Sequence, residues 1–289
     1  MRVTELCVYP VKGAAGILIS EARLDTFGIE HDRRWMIVGG DGTFITQRNH
    51  AGLALLATAL EPDALVLRSR LAGEARVPLR PERGESVRVT VWSDEVDAMD
   101  AGDVAAAFLE AHLGFPARLV HMPESTHRQA PLGHARAGDR VSFADAFPLL
   151  LITQESLDEL DHRLRRPIPM SRFRPNVVVA GASPHAEDAW RRIRIGALEC
   201  DVVKPCARCV VPTIDPATAR PGREPLRTLA GYRRWDGQVW FGQNVIHRGT
   251  GTLRTGDPVT VIETGPARPP IEPPAGLSAG TAAGSPPTA

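Results

Sequence analysis

The residues best suited to chemistry lie in one stretch, Val203 to Thr218, which holds Cys206 and Cys209 with Arg208 between them and Lys204 just ahead. A thiol beside fixed positive charge gives up its proton more readily, and the thiolate is the form that binds soft metals or attacks electrophiles. Three chemistries compete for this pair. A zinc knuckle needs four ligands, and with no second C-x-x-C or H-x-x-x-H pair, Cys7, Cys200 and scattered histidines would have to converge from afar. A dithiol redox centre wants its first cysteine at the start of a helix, whereas Cys209 runs into Val-Val-Pro-Thr-Ile-Asp-Pro. The third chemistry is a single thiolate, Cys209 or Cys206, on a soft metal in a cationic pocket. Two small core residues would sit poorly with the neighbouring arginine and lysine. Local chemistry favours the third reading without naming the metal.

The flanks of the pair are β-branched and broken by proline, so the spacing predicts a strand end running into a turn. Two other polar clusters call for the same kind of positioning. Val11-Lys12-Gly13-Ala-Ala-Gly16 is a small-residue loop after a predicted strand at 3–9, where close backbone approach and one lysine suit a phosphate. Arg174-Pro-Asn176 sits at the entrance of the apolar strand 177–180; the arginine suits a planar or anionic partner, and a turn role for Asn176 fits the local chemistry equally. Arg33 and Arg34 alternate in direction, so one is expected to point inward, where a lone guanidinium is costly.

Many short strands in series predict a mostly β fold with some helices. Helices are expected over 100–113, stopped by Gly114, and over 154–164, capped by Thr153. Residues 124–140, polar with His127 and His134, read as an exposed loop able to lie over a site. The tail 265–289, rich in Pro, Gly, Ala, Ser and Thr, buries too little apolar surface to order itself and is expected to be disordered.

The chain has 289 residues, with 34 basic and 34 acidic side chains. That cancellation leaves no global field for nucleic acid or an anionic membrane. No apolar run approaches the roughly 20 residues of a membrane span. Four unevenly spaced cysteines and an N-terminus without a signal peptide predict a reduced, cytoplasmic protein.

Taken in order, Tyr9-Pro-Val-Lys12, Asp32-Arg-Arg-Trp35, Phe173-Arg-Pro-Asn176, Glu187-Asp-Ala-Trp190, Cys206-Ala-Arg-Cys209 with Thr213-Ile-Asp-Pro216, Phe241-Gly-Gln and Gly256-Asp-Pro258 resemble a known family. It is the family of MOSC proteins with an N-terminal MOSC β-barrel, which includes the mitochondrial amidoxime-reducing component and its bacterial counterparts. The match runs over roughly residues 1–264, and an ordered series is more specific than any one motif.

The resemblance implies an N-terminal MOSC-associated β-barrel domain at 1–118, a MOSC domain at 119–264, and a molybdenum cofactor (Mo-molybdopterin). It implies that Cys209 is the metal ligand and catalytic centre. Lys12, Arg33, Arg174 and Asn176 would contact the pterin and its phosphate, Gly13 would contact it through its backbone amide, and Arg208 joins them as the cation between the cysteines. The family often has Ser after the lysine; Gly13 removes that hydroxyl. Cys206 receives no role. The implied reaction is two-electron reduction of N-hydroxylated compounds such as amidoximes, hydroxylamines and N-hydroxylated bases. Some bacterial relatives carry a Cys-rich ferredoxin-like domain, but the tail here holds no cysteine. The expected electron source is therefore external: a ferredoxin, a cytochrome b5-like protein or a flavin reductase. The alternatives are a persulfide sulfur carrier on Cys209 and a non-catalytic molybdopterin-binding module.

Overall fold

The computed structural model describes residues 1–81 and 84–271 and is mostly β, as the strand pattern predicts. The largest sheet has nine strands. Its order runs Val259–Thr264, Trp190–Ile195, Leu198–Ala207, Gln238–His247, Leu149–Thr153, Val177–Ala180, Arg2–Val8, Ile17–Ile19, with Arg234–Trp235 added on Gln238–His247. The Val259–Thr264 end comes round to the start of Arg2–Val8. Val3 N–H donates to Asp257 O at 2.9 Å and Val259 N–H to Met1 O at 3.0 Å, so the sheet closes on itself and loses most of its free edge. Its interior is filled by alternate residues such as Leu6, Val8, Val179, Ile193, Cys200 and Val245.

The first strand of the chain thus lies inside the sheet built by its second half. Leu6 pairs with Val177 and Arg2 with Ala180, both antiparallel. This pairing decides the site, because it sets the Tyr9–Lys12 loop beside the Arg174–Asn176 turn. A second, four-stranded sheet (Trp35–Val38, Arg118–His121, Asp94–Asp100, Ser86–Val91) carries the Asp32–Trp35 motif at its edge. A three-stranded sheet (Ala57–Leu60, Ala64–Ser69, Gly73–Pro78) packs against helix α1, Asp103–Leu113. Helix α1 starts three residues later than the sequence pattern predicts. Asp100 ends a strand, and its carboxylate accepts from Gly102 N–H at 2.7 Å and from Arg118. Helix α2 spans Gln154–Leu164 as predicted, with the Thr153 side chain accepting from Ser156 N–H.

Two expectations are corrected. None of residues 124–140 lines the main cleft. Within that segment Arg128 is buried and donates to Asp94, Ser142 O and Ala144 O at 2.8, 2.7 and 2.6 Å. A buried guanidinium must be saturated with acceptors, so this loop braces the segment before residue 145 from behind instead of covering the cleft. Of the tail, residues 265–271 are bound: Gly265 N–H donates to Ala189 O, and Arg268 N–H to Asp188 O. Gln243 adds a bond to Arg268 O at 3.1 Å. The backbone groups of a Pro-rich segment hold it here although its side chains bury little. The remainder of the predicted disordered tail, 272–289, lies outside the described residues.

Candidate functional site

The strand Leu198–Ala207 delivers Cys206, and its pairing with Gln238–His247 slips twice, after Val202 and after Pro205. Pro205 has no N–H to give a ladder, and the slips bend the strand end outward into the turn that bears Cys209. That turn is the short 3-10 segment Val211–Thr213, not a helix, so Cys209 has no helix N-terminus behind it and the dithiol redox reading loses its support. Thr213 Oγ1 donates to Val210 O at 2.7 Å, and the Asp215 carboxylate accepts from Ala217 N–H and Arg172. The Thr-Ile-Asp-Pro motif is therefore a clasp that fixes the cysteine turn to the segment before Arg174. Cys206 and Cys209 are free and partly exposed, whereas Cys7 and Cys200 are free and buried. Burial pushes the Cys200 thiol up to about 12. No three His, Cys, Asp or Glu side chains gather around a point among the described residues, which removes the zinc knuckle.

Lys12, Gly13, Arg33, Arg174, Asn176, Arg208 and Cys209 all line one cleft. Its empty volume is about 980 Å³ with the open mouth included, the size of a site for a small ligand or cofactor. Behind its floor lies buried Tyr9, with the Arg33 and Arg174 guanidinium groups each 4.3 Å from the ring centroid. Arg33 donates to Asp32 at 2.5 Å, to Asn176 Oδ1 at 3.0 Å and to Arg174 O at 3.2 Å. Asn176 is itself tied into the sheet, its Nδ2 donating to Cys7 O and its Oδ1 accepting from Leu150 N–H. The Asn176 side chain therefore serves no local turn: it ties distant strands together and braces Arg33 at the cleft wall.

Both arginines have left-handed backbones, Arg33 at φ 49 and Arg174 at φ 59. A non-glycine residue rarely sits there, and such strain persists only where the surroundings over-determine it. Arg33 N–H donates to Tyr9 O, and its own carbonyl accepts from Phe143 N–H at 3.0 Å. Arg34, next in sequence, goes the other way and donates to Met122 O beneath Phe27. Gly13 has φ +87, and an added Cβ would lie 3.2 Å from Leu53 Cδ1. A serine at this position would be strained, which accounts for the glycine.

Lys12 reaches across from its loop and donates to Phe143 O at 2.8 Å and to Asp145 at 2.5 Å. Burial lowers the Lys12 pKa, and the Asp145 carboxylate works against that shift. Confinement disfavours charge on Asp145, but the adjacent ammonium outweighs it and holds the carboxyl below its ordinary range. Opposite, Arg208 donates to Cys206 Sγ at 3.0 Å and to Phe173 O at 2.6 Å, while its Nε is buried without a partner.

Arg48, Trp92 and Asp145, none of them expected from the sequence, line the same cleft. No motif marks them. The one local signal was a tryptophan at the tip of the two-residue hairpin between Val91 and Asp94.

The architecture is thus a closed β sheet with a thiol-and-cation cleft at the end of its longest strands. The description "MOSC N-terminal beta barrel domain" matches residues 1–116 and "MOSC domain" matches residues 138–260. The chain is 31% identical over 280 residues to Mitochondrial amidoxime-reducing component 1 of Homo sapiens, covering 90% of this chain and 82% of that protein. It is 33% identical over 276 residues to component 1 of Danio rerio (90% and 84%). With Mitochondrial amidoxime reducing component 2 of Homo sapiens it shares 32% over 276 residues (89% and 82%). The chain belongs to the MOSC family of amidoxime-reducing components. Those relatives are named as mitochondrial, which overturns the expectation of a cytoplasmic protein; free thiols fit more than one compartment. No helix among the described residues is long and apolar enough to cross a membrane.

Proposed function

We propose that this protein is a molybdenum-cofactor-dependent reductase of N-hydroxylated compounds that receives its electrons from a separate donor protein. The observation that carries the reading is the gathering, from five distant segments, of two open thiols and five cations around one cleft. The residues fit a pterin with a phosphate and a thiolate-bound metal. Guanidinium planes and a buried ammonium match an anion and a flat hydrogen-bonding ring, and a thiolate suits a soft metal–sulfur environment.

In this reading Cys209 holds the metal, and Lys12, Arg33, Arg174 and Arg208 neutralise and orient the anionic cofactor. Gly13 offers its backbone amide, and Asn176 keeps the Arg33 guanidinium aimed. The cofactor, when bound, supplies a two-electron couple for removing oxygen from nitrogen. The net change takes an N–OH compound, two electrons and two protons to the N–H compound and water. The electrons come from a ferredoxin, a cytochrome b5-like protein or a flavin reductase. The chain's own task is to bind, aim and exclude water.

The deciding measurement is molybdenum per mole of purified protein, for wild type and Cys209→Ala, both made in a host that synthesises the cofactor. Near-stoichiometric metal in wild type, and its loss in the variant, is expected. A metal-free wild type beside a loaded control enzyme would end the reading and favour sulfur carriage, seen as cyanide-labile sulfur on Cys209. Bound pterin without turnover of any N-hydroxylated substrate would leave a binding module.

A further inference from the structure

One wall of the cleft adjoins Lys12, whose Nζ lies 5.7 Å from the Trp92 ring, and has no assigned role of its own. Trp92 forms it, from the tip of the hairpin joining Ser86–Val91 to Asp94–Asp100. Val91 pairs with Asp94, so Trp92 and Ser93 make a two-residue turn, whose first position generally falls to Gly, Asn or Asp. Here it carries the bulkiest side chain at φ 57. A large residue in the left-handed region is a true outlier, and an outlier of this kind at a cleft points to function.

The indole is 38% exposed, an unusual state for a side chain gripped on several sides. Phe44 meets it edge-on at 4.9 Å, and its Nε1 donates to Asp145 at 3.3 Å. The Asp145 side chain is open to the cleft, and Lys12 keeps it ionised. It retains acceptor capacity beyond its bonds to Lys12 and Trp92, since a carboxylate accepts about four hydrogen bonds. Among the described residues it is the one carboxylate in the lining, where every other charged side chain is a cation.

The chain also supplies a stand-in. The exposed guanidinium of Arg48 lies over the indole, 4.5 Å from the centroid. A guanidinium is a flat, conjugated group with N–H donors at its edge. Amidoximes share that planarity and present an amino N–H edge, and the protonated amidines formed from them share its charge as well. A surface that accepts one accepts the other, and a solvated arginine is readily displaced.

We propose that Trp92 and Asp145 form the substrate-selecting wall, which takes planar conjugated amidoximes and N-hydroxylated bases flat against the indole while the carboxylate accepts an N–H from their amino group. The proposal rests on the reductase reading for its substrate class. It makes Trp92 a specificity residue and favours aromatic over small aliphatic substrates.

The test has a binding arm and a kinetic arm. Calorimetry measures benzamidine and acetamidine binding to wild type, Trp92→Phe and Trp92→Ala. Kinetics with benzamidoxime and acetamidoxime separates KM from kcat, and molybdenum content and thermal unfolding confirm that each variant is loaded and folded. Trp92→Ala is expected to weaken benzamidine and raise the benzamidoxime KM by about tenfold, with acetamidine and kcat within about twofold. Trp92→Phe, which keeps a ring, should lie between. Equal loss for both ligands, no loss for either, or no benzamidine binding by wild type would overturn the wall. Selective loss of benzamidine by a protein that reduces no amidoxime would retire the reductase and keep the wall.

Discussion

The floor and the lip of the cleft are built on opposite principles. On the floor every charged head is already engaged: Arg33 by Asp32 and Asn176, Lys12 by Asp145 and Phe143 O, Arg174 by Ala14 O at 2.7 Å. At the lip the two thiols are free, and Arg208 retains an unpaired Nε. The floor is therefore preorganised and coupled to folding, whereas the lip is unsaturated and coupled to what it binds. Removing one member of a buried, paired set strands its partner in low dielectric. Removing Cys206 takes one acceptor from Arg208, which keeps its bond to Phe173 O.

Four substitutions turn that contrast into numbers. The largest effect should come from Asp32→Asn, which leaves the Arg33 guanidinium buried without its counter-ion; a loss of about 3–5 kcal/mol in denaturant unfolding is expected. Asp145→Asn should cost about 1–2 kcal/mol, since Lys12 is buried but the carboxylate side is open. Its sign with pH is fixed. The Asp145 pKa is depressed in the folded state, so its stabilisation is present above the ordinary carboxylate value of about 3.9 and fades as pH falls toward the depressed value. The gap in melting temperature between wild type and Asp145→Asn should be constant from neutral pH down to about pH 5, then narrow below about pH 4.

Gly13→Ser should cost about 1 kcal/mol through its positive φ and the approach to Leu53. Cys206→Ala, at the lip, should change stability by less than about 0.5 kcal/mol and leave molybdenum content intact. A large loss of stability there would collapse the distinction between floor and lip.

The motifs that carry the family resemblance divide along the same line. Glu187-Asp-Ala-Trp190 is structural: buried Glu187 accepts from Thr153 Oγ1 and Ser156 Oγ, and Asp188 pairs with Arg233 at 2.8 Å. In Phe241-Gly-Gln, Phe241 packs on Phe173 at 4.4 Å, and Gly242 stands where a Cβ would meet Leu151 O at 2.9 Å. Gln243 donates to Asp188. These motifs identify the family as surely as the cysteine stretch does, yet their work is to close the sheet behind the cleft. Residue type alone does not separate the two roles, because a buried carboxylate and a ligand-facing one carry the same letter.

Local composition determined the β class, the bounds of α2, the strand-end placement of Cys206, and the presence of charge beside the thiols. These follow from neighbours within a few residues, where periodicity, capping and Coulomb attraction act. Only the tertiary structure decided that the first strand pairs with the strand after Asn176, and with it that Tyr9, Arg33 and Arg174 stack into one floor. It alone sent Arg33 into the cleft and Arg34 away, turned 124–140 into a brace, and brought Trp92 and Asp145 to the wall. Those outcomes depend on contacts between segments tens to more than a hundred residues apart. Such contacts are set by which surfaces close the barrel, and no short window of sequence contains both partners.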